Sequence, residues 1–559
     1  MNSTAPAAGA TDTGLALVAG LLLLLSIALG FLPGQAGVPP IDRDEPRYTQ
    51  ATKQMLETGD FVRIRFQDAP RHKKPVGIHW LQAAAAKATG LGADAPLWVY
   101  RLPSLLGAIA ALLLTLWVAR AFLPPPLALT AAAIFGATII LGVEARLAKT
   151  DAVLLATILA AQGALARLWL GQARALGLAL LFWVALALGI LVKGPIAPMV
   201  CGLTVVTLAL LDRRRLLAKL HIPLGILVVA AICLPWYGAI YLATDGAFYT
   251  AAIGKDFLGK AAGGQEGHGA PPLVHLAFFL AVGWPLAGFA IAALWRGVRQ
   301  RGAVFLFAFA WVVPAWLIFE LTPTKLPHYT LPVVPGIAIA AVAALDRATP
   351  PRLLRVLAGA LILVAPLAIL FAAPLLVWQL GASGEATAAL IATPRIFIAG
   401  ALIALALLSA LFAALSVWRG ANLLAPGVIA PTVAAAVIAQ AAVWGIALPA
   451  LQPVWVSTRL VAAAERVAPC PDPRLASVGG YNEPSMIFLA GTDTALVPAE
   501  EAVALAREGC VVIAARQHAL AEVESAAAAA GVTLEEAAVV EGFNISKGDP
   551  VRLTLFVRP

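Results

Sequence analysis

Charged residues are scarce in this chain: Asp, Glu, Lys and Arg make up 12% of its 559 residues, against 61% hydrophobic residues. Soluble globular proteins average about 25% charged residues, so the composition excludes an ordinary water-soluble fold and indicates lipid as the solvent. Cysteine is also scarce, with four residues and no CxxC or zinc-ligand spacing. Cys201 and Cys233 lie in apolar runs as small buried residues, whereas Cys470 and Cys510 can form a disulfide if their segment is periplasmic.

The N-terminal tail has no Lys or Arg, although the net charge is +9. The first apolar run, Leu15 to Leu32, therefore lacks the basic region of a signal peptide, and no clean A-x-A-like site follows it. We interpret it as a retained membrane span. The positive charges lie mostly in short loops between later apolar runs, which is typical of cytoplasmic loops. The charge thus needs no nucleic-acid partner, and none is expected.

Apolar runs of about 17–25 residues, long enough to cross a bilayer, recur up to about residue 450. They predict about thirteen spans, with approximate limits 14–33, 98–120, 126–143, 151–169, 176–192, 195–211, 221–242, 273–295, 303–320, 329–345, 353–378, 394–417 and 425–449. Short basic loops stay in the cytoplasm, which puts the N-terminus there and everything after about residue 450 outside. The predicted fold is a multi-spanning α-helical membrane protein, with a transmembrane domain over 1–450 and periplasmic loops at 34–97 and 243–272.

Residues 451–559 have a different pattern, in which short apolar runs alternate with polar ones. The pattern predicts strands at 474–478, 495–497 and 510–514, helices at 483–489, 499–507 and 520–530, and a final strand pair through Asn544 and Leu553–Val557. Alternation of helices and strands is typical of a covered sheet. We therefore expect a small periplasmic α/β domain over 451–559.

Two charged motifs lie in the first outer loop. Residues 42–48 (DRDEPRY) carry Asp44 and Glu45 before an expected helix from Pro46 to Thr58, with Arg47 and Tyr48 close by. These acids either cap that helix or serve as a general base or a cation-positioning group.

Residues 71–80 (RHKKPVGIHW) form the second motif and carry three fixed positive charges, on Arg71, Lys73 and Lys74. They suit either a phosphate or diphosphate ligand or anionic lipid headgroups.

Other polar motifs mark the outer ends of later spans. Residues 144–151 (EARLAKTD) end in Asp151 and form either a local ion pair with a helix cap or part of a site. Lys193, before Gly-Pro, is either a functional residue or a lysine that reaches the interface. Residues 322–332 (TPTKLPHYTLP) form a stiff turn that presents Lys325, His328 and Tyr329.

The loop 243–272 is rich in glycine near His268. Such a loop either orders over a substrate or is a plain connector.

These motifs, in this order and spacing, resemble the GT-C glycosyltransferases of the protein O-mannosyltransferase-like superfamily, and most closely the aminoarabinose (ArnT-like) transferases that act on lipid A. The residues that carry the resemblance are Asp44-Glu45-x-Arg47-Tyr48, Lys74-Pro75, Arg146-x-x-x-x-Asp151, Lys193-Gly194 and Lys325-Leu326-Pro327-x-Tyr329-x-Leu331-Pro332. The number of spans and the small C-terminal domain fit as well.

The resemblance implies an inner-membrane enzyme that moves a sugar from a polyprenyl-phosphate carrier to an acceptor at the periplasmic face, as in lipid A or lipopolysaccharide modification. It implies Asp44, Glu45, Lys74 and Asp151 as catalytic residues, with Asp44 near donor and acceptor and Lys74 on the donor phosphate. With the other motif residues described above, the candidate substrate-binding residues are Arg47, Tyr48, Arg71, Lys73, Lys193, His268, Lys325, His328 and Tyr329. Direct displacement would invert the anomeric configuration.

Aminoarabinose transferases commonly have Glu before the Lys-Pro pair, where it can help to bind a metal. Here that residue is Lys73, so the sequence leaves a divalent metal and the identity of the sugar open. A protein O-mannosyltransferase-like enzyme is the alternative function. A lipid-linked-sugar transporter is less favoured, because no inverted repeat and no midplane charges are evident.

Overall fold

The computed structural model describes residues 8–172, 175–212, 216–252, 254, 259, 269–297, 299–381 and 393–559. Up to about residue 450 the described chain is almost entirely helical. The helices are α1 (Ala8–Ala28), α2 (Asp44–Thr58), α3 (Gly77–Ala88), α4 (Leu97–Ala119), α5 (Pro125–Gly136), α6 (Ile139–Glu144), α7 (Asp151–Leu170), α8 (Ala175–Lys193), α9 (Ile196–Leu211), α10 (Leu216–Lys219), α11 (Ile222–Thr244), α12 (Ala247–Tyr249), α13 (Val274–Val282), α14 (Leu286–Gly297), α15 (Ala303–Leu321), α16 (Val334–Leu345), α17 (Arg352–Gly381), α18 (Pro394–Trp418), α19 (Pro426–Ala442) and α20 (Leu448–Ala450).

Within these described ranges, nine helices are long and apolar enough to cross a membrane: Leu97–Ala119, Asp151–Leu170, Ala175–Lys193, Ile222–Thr244, Ala303–Leu321, Pro327–Leu345, Arg352–Leu375, Pro394–Trp418 and Pro426–Ala450. Shorter apolar helices occupy Thr13–Ala28, Pro125–Gly136, Ile196–Leu211 and Leu286–Gly297. The prediction of a membrane protein with many apolar helices is confirmed.

Two of the expected spans are each divided into two helices, and the two breaks lie side by side. Pro285, which has no N–H to donate, follows the break between α13 and α14, and Ala137-Thr138 separates α5 from α6. The Ile139 N–H donates to the Trp284 carbonyl over 3.0 Å. In lipid a backbone group released by a break needs another partner, and here one break supplies the partner for the other.

The first loop packs tightly against the ends of the spanning helices. It contains α2, a hairpin of β1 (Arg65–Phe66) and β2 (Ala69–Pro70), and α3. A Cβ added to Gly77, at the start of α3, would lie 2.7 Å from the Leu191 carbonyl oxygen of α8. Only glycine therefore allows α3 to meet the end of α8 this closely.

The C-terminal region forms a five-stranded mixed sheet in the order β4-β3-β5-β7-β6. Its elements are α21 (Val456–Val467), β3 (Arg474–Val478), α22 (Pro484–Ala490), β4 (Ala495–Leu496), α23 (Ala499–Glu508), β5 (Val511–Arg516), α24 (Leu520–Ala530), β6 (Glu535–Asn544) and β7 (Asp549–Val557). Strand β3 pairs in parallel with β4 and β5, and β7 pairs antiparallel with β5 and β6. The predicted sequence of strands and helices matches these elements to within a few residues.

Both faces of this sheet are covered, as the alternating pattern predicted. Val512 and Ala514 of β5 pack with Leu460 of α21, whereas Ile513 and Ala515 on the opposite face pack with residues of α23 and α24. The alternation follows from the period of two along a strand. Cys470 and Cys510, which precede the paired strands β3 and β5, form a disulfide.

Candidate active site where the first loop meets the helix ends

A buried cluster of charged residues lies at the ends of the spanning helices, beside the first loop. Lys193, the last residue of α8, donates to Asp151 Oδ1, the first residue of α7, over 2.6 Å. Lys149 Nζ lies 2.9 Å from Glu144 Oε1 and 3.8 Å from Asp151 Oδ2. His328 Nε2 lies 3.9 Å from Asp151 Oδ1. The structure thus brings together three motifs that are far apart in sequence, and includes the local Glu144–Lys149 ion pair that residues 144–151 suggested.

The lysine of the outer turn stays charged although it is buried. Burial acts to lower the pKa of Lys149, but the carboxylates of Glu144 and Asp151 outweigh burial and hold that pKa above its usual value. Unpaired charges at this depth would be very costly. Two lysines and two carboxylates therefore stabilise one another.

The turn between α15 and α16 contributes the aromatic side of the cluster. Residues Pro327–Val333 form a 3-10 helix, consistent with the stiff turn that the prolines predicted. Lys193 Nζ lies 5.9 Å from the centroid of the Tyr329 ring. Lys325 is buried, and its Nζ donates to the Thr322 carbonyl over 2.7 Å. Lys325 is therefore directed back along its own turn.

A second buried pair, which sequence reasoning missed, lies behind Tyr329. The His275 ring centroid lies 6.3 Å from that of Tyr329, and His275 Nδ1 lies 3.6 Å from Glu320 Oε2. The same Glu320 oxygen accepts from the Leu273 N–H over 3.0 Å. An acid near the end of an apolar helix is a functional candidate by default, so Glu320 could have been found.

The Glu45 carboxylate is buried and bound by other protein groups, and so has a structural role. Both of its carboxylate oxygens accept hydrogen bonds from Arg101 of α4 at 2.8 Å, from Nε to Oε1 and from Nη2 to Oε2. The Ala148 and Ile41 N–H groups also donate to it. Its buried carboxylate is fully occupied, so Glu45 joins the first loop, α4 and the turn before Asp151. Arg101, which sequence reasoning missed, is a charged residue in the first turn of an apolar helix.

Asp44 is exposed in the first turn of α2, and in the part of the chain that the structure describes its carboxylate makes no hydrogen bond or ion pair. Arg47 is half-buried on the same helix, and Tyr48 is buried. The Arg71 guanidinium lies 5.1 Å from the centroid of the Tyr48 ring. Burial raises the pKa of Tyr48; Arg71 lowers it, and Asp44 and then Asp151 raise it further. Tyr48 thus lies between the first loop and the buried cluster.

The cationic residues of the second motif flank the same region. Arg71 follows the β1–β2 hairpin, Lys73 is exposed and Lys74 is half-buried. The close contact of Gly77 with the Leu191 carbonyl brings the Lys74-Pro75 turn to the end of α8 that carries Lys193. His268, also expected to bind substrate, lies outside the described residues.

His79, from the same motif, has a structural role. It is fully buried, with Nδ1 2.8 Å from Thr52 Oγ1, and burial, with a smaller effect of Arg71, lowers its pKa to about 3. His79 is therefore neutral and fixes α3 to α2.

Among the described residues, no group of three or more His, Cys, Asp or Glu side chains is arranged to hold a metal ion. Lys73, and not a carboxylate, precedes Lys74. The described side chains do not fit a metal, and the proposed reaction uses none.

An apolar groove of about 710 Å³ runs beside the site. It is lined by α3, α4, α7 and α8 through Leu81, Ala84, Ala85, Ala88, Thr89, Leu102, Pro103, Leu106, Gly107, Ala110, Val153, Ala156, Thr157, Ala160, Leu181, Val184, Ala185 and Leu188. Val153 is two residues beyond Asp151 on α7, and Leu188 is five residues before Lys193 on α8. The groove therefore lies along the two helices that carry the Asp151–Lys193 pair, and the residues that line it are apolar except for Thr89 and Thr157.

Parts of this chain are similar in sequence to known proteins. Residues 73–238 match the family model described as dolichyl-phosphate-mannose-protein mannosyltransferase. The undecaprenyl phosphate-alpha-4-amino-4-deoxy-L-arabinose arabinosyl transferase of Edwardsiella ictaluri is 27% identical over 317 residues, 55% of either chain. Its Pseudomonas aeruginosa counterpart (strain UCBPP-PA14) is 26% identical over 328 residues, 57% of this chain and 58% of that one. The matched part of this chain thus spans a little over half the length of these curated relatives.

Two solved structures share the fold over nearly the whole chain. ArnT from Cupriavidus metallidurans in the apo state has a TM-score of 0.73 at 18% identity and covers 98% of both chains. The same protein bound to undecaprenyl phosphate has a TM-score of 0.72 at 19% identity, covering 96% of this chain and 97% of that one. The family match, the relatives and the shared fold confirm the resemblance that the motifs indicated: the chain is a membrane protein with the fold of the GT-C, ArnT-like glycosyltransferases.

Proposed function

We propose that this protein is an inner-membrane glycosyltransferase that moves a sugar from a polyprenyl-phosphate carrier to lipid A or another envelope glycolipid. One observation carries the proposal: Asp44, Arg71 and Asp151 all lie close enough to Tyr48 to shift its pKa, which puts the first loop beside the Asp151–Lys193 pair. An apolar groove runs along the same helices, α7 and α8. A lipid-linked phosphate sugar needs acidic, cationic and apolar surroundings together. The names of the matched relatives, which are undecaprenyl-phosphate sugar transferases, support the same class of donor.

The topology that we propose has thirteen spans. It counts the four shorter apolar helices with the nine longer ones found in the described residues. With the N-terminus in the cytoplasm, the short basic loops stay there. The transmembrane domain then ends near residue 450, and the first loop, the loop 243–272 and the C-terminal α/β domain over 451–559 face the periplasm.

In the proposed reaction an acceptor oxygen attacks the anomeric carbon of the sugar while the bond from that carbon to the phosphate oxygen breaks. The phosphate leaves with the bonding electrons, and positioned cations stabilise the charge that develops on it. Lys74 and Arg47 are the first candidates. Lys325 and Lys193 are further candidates; in this structure Lys193 is bound to Asp151 and Lys325 to the Thr322 carbonyl.

Asp44 is the candidate base. If the acceptor is a hydroxyl, its exposed carboxylate takes the proton that the hydroxyl loses on attack. If the acceptor is a phosphate, no base is needed and Asp44 orients the reacting groups. Displacement in one step inverts the anomeric centre, which NMR of the product against the donor would test.

The groove beside the site suits the lipid tail of the donor. Its lining side chains are almost all apolar, and several are alanine or glycine, which leaves space for a branched hydrocarbon chain. A tail in the groove would lie against α7 and α8, the helices that carry Asp151 and Lys193.

The test replaces Asp44 with Asn and Lys74 with Ala and measures transfer from undecaprenyl-phosphate-linked aminoarabinose to lipid A in proteoliposomes. We expect a loss of about 100-fold or more in each variant, the scale of positioned acid–base groups. Asp68→Asn, an exposed aspartate of the same loop, and Lys53→Ala, on α2, are the matched controls. Full activity in both site variants would exclude this site.

A protein acceptor is the second candidate, because the family model that matches residues 73–238 is named for protein mannosyltransferases. Mass spectrometry of lipid A and of secreted proteins from a deletion strain separates the two. Loss of a sugar from secreted proteins, with lipid A unchanged, would favour the protein acceptor.

A further inference from the structure

The C-terminal unit is bonded directly to the residue two positions before Asp44. Asp42 accepts two hydrogen bonds from Ser485 in the first turn of α22, one from the backbone N–H to Oδ1 at 2.9 Å and one from the hydroxyl to Oδ2 at 2.6 Å. Asp42 and Ser485 are 443 residues apart. A contact between two regions so far apart in sequence forms only when both are folded.

The Asp42–Ser485 contact is the end of a chain of buried hydroxyls. Ser485 Oγ lies 2.7 Å from Ser457 Oγ, and Ser457 Oγ lies 2.8 Å from the Tyr481 hydroxyl. Because each hydroxyl has one hydrogen, every contact is satisfied when Tyr481 donates to Ser457, Ser457 to Ser485 and Ser485 to Asp42. The ionised carboxylate of Asp42 thus fixes the direction of the chain.

The neighbouring residue makes a second attachment. Arg43 Nη2 donates to the Ser546 carbonyl, in the turn between β6 and β7, over 2.8 Å. Asn544 shapes that turn: its Oδ1 accepts from the Ser546 N–H, and its Nδ2 donates to Glu483 over 2.8 Å. Residues 42 and 43 are therefore both bonded to the C-terminal unit.

The residue that follows Asp44, Glu45, is attached to a different part of the protein. Glu45 is bound through both oxygens to Arg101 of α4. Asp44 thus lies between residues attached to the C-terminal unit and a residue attached to the membrane helices. The backbone position of Asp44 depends on both attachments.

We propose that the C-terminal unit positions Asp44 for the proposed glycosyl transfer through Asp42 and Ser485, and that this coupling weakens when the medium becomes acidic. Asp42 and Ser485 are positioning residues in this scheme, since they act through Asp44 and not on substrate. The proposal rests on the function proposed above.

The pH dependence follows from the surroundings of Asp42. Burial raises its pKa to about 6; the Ser485 hydrogen bonds and Arg47 lower it, and Glu483 raises it. Tyr481, whose pKa burial raises, also faces Asp42 but stays neutral in this range. Because the Ser485 bonds lower this pKa, they favour the ionised carboxylate. The attachment is therefore complete above about pH 7 and weakens as the pH falls through about 6.

The direct test is hydrogen–deuterium exchange of the backbone amides of residues 42–48, with full-length protein in nanodiscs between pH 5 and 8. The protection factors of these amides in the wild type should decrease as the pH falls through about 6, which means faster exchange. Ser485→Ala should show the faster exchange already at pH 8. Asp42→Asn keeps the side-chain volume and should remove the pH step. Ser546→Ala is the control, because it changes a serine at the neighbouring Arg43–Ser546 contact but leaves the carbonyl acceptor in place. It should behave as wild type.

The second readout is transfer of aminoarabinose from undecaprenyl phosphate, measured as kcat and KM at each pH. Ser485→Ala should lower kcat by about tenfold to a hundredfold with KM within about twofold, the scale of a misplaced reacting group. If exchange responds while wild type transfers nothing, the proposed function fails and the attachment stands. If wild type transfers sugar but exchange of residues 42–48 shows neither a pH step nor an effect of Ser485→Ala, the positioning role is overturned.

Discussion

Lys193 and Asp151 join the open end of a helical hairpin: the last residue of α8 donates to the first residue of α7, with 2.6 Å between Nζ and Oδ1. The two helices run antiparallel, so a separation of 42 residues becomes one contact. Lys149 and His328 approach the same carboxylate. Asp151 is therefore the common partner of three side chains that can each carry positive charge.

Replacing Asp151 should destabilise the protein as well as inactivate it. In Asp151→Asn the buried amino groups of Lys193 and Lys149 lose a compensating charge, and breaking a buried pair costs about 3–5 kcal/mol. Thermal unfolding in detergent should show a clearly lower Tm. The double variant Asp151→Asn/Lys193→Met should recover part of the loss, because it removes the uncompensated charge. An unchanged Tm in Asp151→Asn would contradict the cluster.

Asp44 and Glu45 are neighbours with opposite expected behaviour. Asp44→Asn should abolish transfer and leave the free energy of unfolding within about 0.5 kcal/mol, as for other exposed substitutions. Glu45→Gln should lower stability by about 3–5 kcal/mol, because Arg101 loses its buried charged partner. Arg101→Lys should not preserve stability, since an ammonium group cannot form the two parallel bonds of a guanidinium. Equal unfolding temperatures for the two acid variants would contradict these assignments.

The disulfide gives a test of which side of the membrane the C-terminal unit occupies. Protein denatured in acid and then labelled with a maleimide should take two labels, on Cys201 and Cys233, and four if it is reduced before labelling. Cys470→Ser should show three, because Cys510 is then released. Disulfides persist in the periplasm and are rare in the cytosol. Four free thiols in wild type would argue for a cytoplasmic C-terminal unit.

Filling the apolar groove should impair use of the lipid-linked donor. Ala156→Trp puts a large ring between α4 and α7, in the groove of about 710 Å³. We expect a KM for the donor raised about tenfold or more, since a branched chain of this size gains roughly 0.8 kcal/mol per buried methylene. Leu210→Trp, at a position that is 79% exposed on α9, is the control. An unchanged KM would argue against a lipid tail in the groove.

The helices could be predicted because a chain in lipid must keep nearly every exposed side chain apolar, and that requirement is local. The strands and helices after residue 450 were equally readable from their alternation. The breaks at Ala137-Thr138 and Trp284 were not, because the hydrogen bond from Ile139 to Trp284 depends on two helices meeting.

The same distinction between local sequence patterns and contacts between distant elements applies to the candidate site residues. Asp44, Lys74, Asp151, Lys193 and Tyr329 were candidates because charged and proline-rich motifs interrupt the apolar runs and resemble those of a known family. Whether the carboxylate of an acidic residue is exposed or already bound by another side chain could not be predicted. Arg101 binds Glu45 from 56 residues away in the sequence, and no local pattern predicts that contact. His275 and Glu320 were missed for the same reason.

Arg101 also constrains how the first loop can vary in evolution. Beyond Glu45, its guanidinium donates to four carbonyl oxygens, those of Gly34, Gln35, Val38 and Pro39, at 2.7–3.3 Å. A carbonyl is the same for every residue type, so these contacts place little demand on which side chains follow the first span. They do require a fixed number of residues between that span and Glu45. Homologous chains should therefore vary in composition over residues 35–39, with Gly34 kept because a Cβ there would lie 2.7 Å from the Trp444 carbonyl oxygen. An insertion or deletion in this segment would displace Asp44.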